Sequence, residues 1–131
     1  MISLTFRTYS GVFGVALLAS ILVISILAFG PPPVAVSASV SDKVLHAGAF
    51  FVLSFLLEGA LSTTSFWRVK VPMLLSYGLF IELIQWQLPN RDFSLLDFLA
   101  DGAGVVLYWV CHKPLWLMSD LIITYRSEAQ D

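Results

Sequence analysis

Four apolar runs, separated by short segments rich in proline, serine or charge, set the organisation of the chain. The first, from Gly11 to Phe29, holds no charged residue and stops at Gly30-Pro31-Pro32-Pro33, which cannot continue a helix. Val34 to Ser41 is small and polar enough for a loop. Ser41 or Asp42 then caps a second helix that starts at Lys43 and runs to about Leu61. A Ser62-Thr63-Thr64-Ser65 loop, followed by Trp67, Arg68 and Lys70, leads into the third helix. Pro72 fits its first turn, where the missing N–H costs nothing. Pro89-Asn90 ends it after Leu88. The fourth helix begins near Phe93 or Ser94, carries Asp97 in its first turns and reaches about Cys111 or His112 before Pro114 breaks it. Leu115 to Tyr125 then reads as an interfacial helix, its apolar face interrupted by Asp120. The pattern predicts an all-α protein: a single-domain integral membrane bundle of about four transmembrane helices, over 11–29, 43–61, 70–88 and 94–112.

Composition supports that class. Of 131 residues, 58% are hydrophobic and 12% charged, against roughly 45–50% and about 25% in soluble domains. The net charge of −2 gives no footing for nucleic acid or a polybasic surface role. One cysteine, Cys111, excludes an internal disulfide and any zinc site built on paired cysteines. Arg7 before the first run and Val36-Ser37-Ala38 after it resemble a signal peptide with its cleavage site. The run is longer than an h-region of about 7–15 residues, however, so an uncleaved span is expected.

Charge also orients the spans. Arg7, Arg68, Lys70, Lys113 and Arg126 fall on one side of an up-and-down bundle, and only Lys43 and Arg91 on the other. The positive-inside rule then places both termini in the cytoplasm. Trp67, Trp109 and Trp116 would mark the inner interface and Trp86 the outer one.

Against this background a few ionisable residues stand out, each costing roughly 2.5–3.5 kcal/mol at a helix centre on insertion scales. Asp42, Lys43 and His46 open the second helix, Glu82 and Gln85 lie near the end of the third, and Asp97 and Asp101 open the fourth. Arg91 is in the connecting loop. Sequence order and span count bring them all to the outer half of the bundle. Spacings of three or four put Asp42 with His46, Glu82 with Gln85, and Asp97 with Asp101 on one helix face each. Gly78 and Gly104 extend two of those faces and allow close helix approach.

Glu82 lies about six residues, or roughly 9 Å, inside its helix end, too deep to snorkel comfortably. His46 is the side chain suited to exchange a proton near neutral pH, which makes His46, Glu82 and Asp97 the candidate catalytic set. Lys43, Gln85, Arg91 and Asp101 are the candidate ligand-binding set, with Arg91 suited to a phosphate or carboxylate. Asp42 is assigned to capping, and Gly78 and Gly104 to packing. The competing reading is a hydrogen-bonded network that orders the bundle. No tight motif such as His-Glu-x-x-His is present, so neither metal nor cofactor is assigned. Glu58 and His112 stand apart from the site.

The fragments Asp42-Lys43-x-x-His46, Tyr77-Gly78-x-x-Ile81-Glu82-x-x-Gln85, and Arg91 followed by Asp97 and Asp101-Gly102-x-Gly104 resemble the VanZ-like family of small bacterial membrane proteins. They span Asp42 to about Tyr108. Asp101 stands where many members show Asn, which adds a carboxylate to the cluster. The resemblance implies a multi-pass protein of the bacterial inner membrane, in a family whose founding member is associated with low-level resistance to the glycopeptide teicoplanin. It does not supply a reaction. The expectation is an envelope protein whose outward-facing polar pocket binds a lipid-linked or headgroup-type ligand, with membrane lipids as its partners and no nucleic acid. An intramembrane acid/base enzyme acting on an envelope lipid and a structural partner subunit are the alternatives.

Overall fold

In the structure, a computed structural model, residues 2–30, 39–89 and 91–128 are described, with side chains for 9–30, 42–89 and 91–112. The expected loop over 34–38 and Asn90 lie outside the described residues. So do the side chains of Arg7, Lys113, Trp116 and Arg126, on which part of the orientation rests. The described residues form four α-helices and no strand: α1 (Ile2–Phe29), α2 (Ser39–Ala60), α3 (Val71–Gln85) and α4 (Leu95–Glu128), with one π turn at Phe66–Lys70 leading into α3.

The helix ends follow local chemistry, with three departures from expectation. α2 begins at Ser39, so Asp42 lies in its first turn rather than at the cap, still beside the positive end of the helix dipole. α3 closes at Gln85, before Leu88, because Gln87 N–H and Leu88 N–H turn back to Ile84 O and Gln85 O, each at 3.0 Å, in tighter i→i−3 turns. The third concerns Pro114, which does not break α4: the helix runs through it and absorbs the expected interfacial segment. Pro114 removes the N–H that would reach Val110, a loss the helix accommodates without ending. At the start of the α3 rod, Ser65 Oγ accepts the Arg68 N–H at 3.4 Å, and Pro72 sits in the first turn of α3.

The bundle is up-and-down. Lys43 meets Asp97, His46 meets Asp101 and Phe51 meets Tyr108, an ascending register that makes α2 and α4 parallel. Ile21 and Ser25 meet Tyr77, and Ala28 meets Gln85, so α1 and α3 are also parallel to each other. α2 packs broadly against both α1 and α4, while α3 lies against α4 and α1. Phe50, Leu53, Leu57, Leu74, Ile81 and Val105 form the buried core, lined by Leu17, Ile21 and Ile24 of α1. Two crossings need glycine. A Cβ at Gly104 would overlap the Ala47 carbonyl, and one at Gly59 would enter the Phe13 ring.

Polarity is inverted relative to a water-soluble fold. Val15, Leu18, Leu22 and Leu27 of α1, Val44 and Leu45 of α2, and Leu99, Leu107 and Val110 of α4 are each more than half exposed, whereas Ser54, Lys70, Glu82 and Asp101 are fully buried. Soluble monomers rarely expose apolar patches beyond a few hundred Å², and groups buried from hydrocarbon are where polar residues belong in a membrane protein. Among the described residues, three segments are long and apolar enough to cross a membrane: Tyr9–Phe29, Asp42–Ala60 and Leu95–His112. At 15 residues, α3 rises about 22 Å, short of a hydrocarbon core of roughly 30 Å by itself. The π turn extends the same rod back to Phe66.

Gly104→Val is expected to destabilise the fold by about 1–3 kcal/mol, read as a lower melting temperature in detergent micelles. At Gly48 an added methyl meets nothing within 4 Å, so Gly48→Ala should be neutral or stabilise by roughly 0.5–1 kcal/mol. A Gly104→Val protein that melts with the wild type would refute the close crossing.

Candidate functional site

The site forms where α2 and α4 begin and α3 ends. Because Gly104 lets α4 approach the α2 backbone at Ala47, short and medium side chains can bridge the seam one turn earlier. Lys43 Nζ donates to Asp97 Oδ1 at 2.8 Å. One turn deeper, His46 Nδ1 lies 2.8 Å from Asp101 Oδ1, the ring N–H donating to the carboxylate. The His46 side chain is 12% exposed and that of Asp101 0%. Asp101 Oδ2 is buried without a hydrogen-bond partner. It lies 2.6 Å from where a Cβ on Gly78 would stand, so the bare backbone of α3 makes room for it.

Glu82 plays a part that its position in the sequence does not announce. Ser94 is the N-cap of α4: its Oγ accepts the Asp97 N–H at 3.2 Å, and its carbonyl accepts from Asp97 and Phe98. In a capping box the third helical residue would reach back to the cap's own N–H. Here that residue is Asp97, which is turned to Lys43 instead. Glu82 of α3 takes its place, accepting the Ser94 N–H on Oε2 at 2.9 Å. Its Oε1 is buried and has no partner.

Gln85 and Arg91 turn away from this cluster towards α1. Gln85 Nε2 donates to Ala28 O at 3.1 Å, and the Arg91 guanidinium donates to Gly30 O at 3.4 Å. The Ala28 carbonyl belongs to the last turn of α1 and Gly30 follows it directly, where helical partners run out. Arg91 Nε is buried with no partner, and among the described residues the guanidinium pairs with no carboxylate. α1 is therefore a fourth wall of this end of the bundle, beside α2, α3 and α4.

Asp42 belongs with the cluster. One donor atom each from Asp42, His46 and Asp97 lie within 4.8 Å of one another. Of the residues singled out in the sequence, Asp42, Lys43, His46, Asp97 and Asp101 thus meet along the α2–α4 seam, Glu82 stands behind them, and Gln85 and Arg91 face α1. Ser94 was overlooked, although Ser94-x-x-Asp97 before an apolar run is a legible capping signal. At the opposite end, Lys70 is fully buried and donates to Glu58 Oε2 at 2.8 Å. His112 Nδ1 meets the Trp109 carbonyl there as well.

The arrangement combines a histidine oriented by a buried carboxylate, which is the relation a general base needs, with a cation at the loop that retains unused donors. It defines a helical protein with an apolar exterior and a polar site at one end of the bundle. Comparison of the chain with protein-family models, with curated proteins and with solved structures found no match to any of them.

Glu82→Ala strips the Ser94 N–H of its acceptor and should destabilise the protein by about 1–3 kcal/mol. Glu82→Gln keeps a carbonyl acceptor at the same reach, so a smaller loss is expected. Thermal melts of the two variants beside Ser94→Ala test the assignment, and equal losses for Ala and Gln at position 82 would contradict it.

Proposed function

We propose that the chain is a VanZ-like protein of the bacterial inner membrane that crosses it four times, with both termini in the cytoplasm. The polar end of the bundle then faces outward and receives the anionic headgroup of a lipid or lipid-linked envelope ligand. The observation that carries this reading is Arg91. Its guanidinium spends one hydrogen bond on the Gly30 carbonyl and meets no carboxylate among the described residues. A planar cation with unused donors, in the loop at the polar end of the bundle, suits a phosphate. Lys43, paired with Asp97 on the α2–α4 seam and about one-third exposed at 32%, is a second cation at the same end of the bundle. The apolar exterior and the distribution of Lys and Arg along the chain support the topology.

A second reading rests on the His46–Asp101 pair: an intramembrane acid/base enzyme that uses the oriented imidazole on the bound lipid. Glu82, already engaged by Ser94, offers that enzyme only Oε1.

The purified full chain in detergent is expected to gain several degrees in melting temperature from a polyprenyl phosphate or phosphatidylglycerol, and little from phosphatidylcholine. Arg91→Ala should lose most of that gain, measured against its own ligand-free melting temperature, which the lost contact to Gly30 lowers slightly. Absence of any gain in the wild type, or an undiminished gain in Arg91→Ala, would sink the binding reading. Mass spectrometry of the recovered lipid separates the enzyme: a chemical change that vanishes in His46→Ala favours catalysis. A reporter fused after Asp131 that reads as periplasmic would reverse the topology.

A further inference from the structure

We propose that Asp42, His46 and Asp97 bind a first-row divalent metal ion, with Asp101 holding the imidazole from behind. Their donor atoms lie within 4.8 Å of one another, a span that small side-chain rotations close around an ion with bonds of roughly 2.0–2.2 Å. One imidazole with two carboxylates is a donor set for ions such as Zn²⁺ or Mn²⁺.

The surroundings are those of a metal-binding histidine. Nδ1 of His46 is committed to Asp101, which leaves Nε2 as the ring nitrogen open to an ion. A carboxylate on the far nitrogen of a ligating imidazole fixes its tautomer and ring plane and raises its basicity. Asp97 gives Oδ1 to Lys43 and keeps Oδ2. Asp42, one turn before His46 on the same helix face and only partly buried, leaves a route of entry from outside.

Charge supplies an independent reason. Asp42, Glu82, Asp97 and Asp101 gather at this end of the bundle, and among the described residues Lys43 is the cation that pairs with one of them, besides whatever charge His46 carries. Glu82 and Asp101 are fully buried and each retains a carboxylate oxygen with no partner, Asp101 in direct contact with His46. Buried carboxylates in such numbers are accommodated either by protonation or by compensating positive charge. A divalent cation provides the latter. The inference requires only these side chains and does not depend on a lipid occupying the pocket.

The test uses the full chain in detergent, stripped with EDTA, titrated with Zn²⁺ or Mn²⁺ and desalted. Elemental analysis should return one ion per chain, with a rise of several degrees in melting temperature. Asp42→Asn, at a partly exposed position, and His46→Gln should each lower affinity at least tenfold, while His112→Gln retains the ion. Asp101→Asn should weaken binding about 10- to 100-fold with one ion still bound at saturation. In the Mn²⁺ form, electron-spin-echo spectra should show imidazole nitrogen coupling that disappears in His46→Gln. A wild type that retains no ion, or Asp42→Asn and His46→Gln variants that retain it as tightly as the wild type, would overturn the site.

Discussion

The contact between the backbones of α2 and α4 at Ala47 and Gly104 is the constraint on which the rest of the polar site depends. An aspartate is a short side chain, and only helices in near backbone contact allow Asp97 and Asp101 to reach Lys43 and His46 at 2.8 Å. Were the helices held apart by a larger residue at position 104, both carboxylates would be stranded in apolar surroundings. Removing one partner from a buried pair costs far more than the intact pair contributes. Geometry at one glycine is thereby converted into electrostatic satisfaction a turn or two away.

The same economy shapes the whole bundle. Apolar side chains that a soluble protein would bury cover the outside, and the interior mixes a compact Phe50–Leu53–Ile81–Val105 core with polar groups that mostly have a partner. The partners cluster at the two ends. At one, Lys43, His46, Asp97, Asp101, Glu82 and Arg91 serve the seam, the α4 cap and the end of α1. At the other, Lys70 is wholly enclosed and satisfied by Glu58, joining α2 to the π turn that starts the α3 rod. Between them, Tyr77 links α3 to α1 through the Ile21 carbonyl and the Ser25 hydroxyl.

Much of this was legible in the sequence, for reasons that can be named. Helix number and the gathering of Asp42, His46, Asp97 and Asp101 at one end follow from run length and from the alternation of an up-and-down bundle. What sequence order could not convey was pairing. Arg91 and Lys43 both lie within reach of Asp97 along the chain, but the loop turns Arg91 to Gly30 and Lys43 takes the carboxylate. Glu82 and Gln85 share a face, yet one caps α4 and the other α1, because helix ends expose backbone groups that apolar periodicity does not reveal. Lys70 was counted as an interfacial charge, whereas the π turn directs it inward. Pro114 predicts a helix end, yet α4 continues through it to Glu128.

The bond from the Ser94 N–H to Glu82 also has a temporal meaning. It closes over a sequence separation of 12, whereas Lys43–Asp97 and His46–Asp101 close over 54 and 55. A chain synthesised from its N-terminus completes α3, carboxylate included, before the first turn of α4 exists, so the acceptor is waiting when Ser94 emerges. The α3–α4 hairpin is thus a short-range closure with a small entropic cost. The histidine and lysine rungs close far longer stretches of chain, and so carry the larger entropic cost of bringing α2 and α4 together.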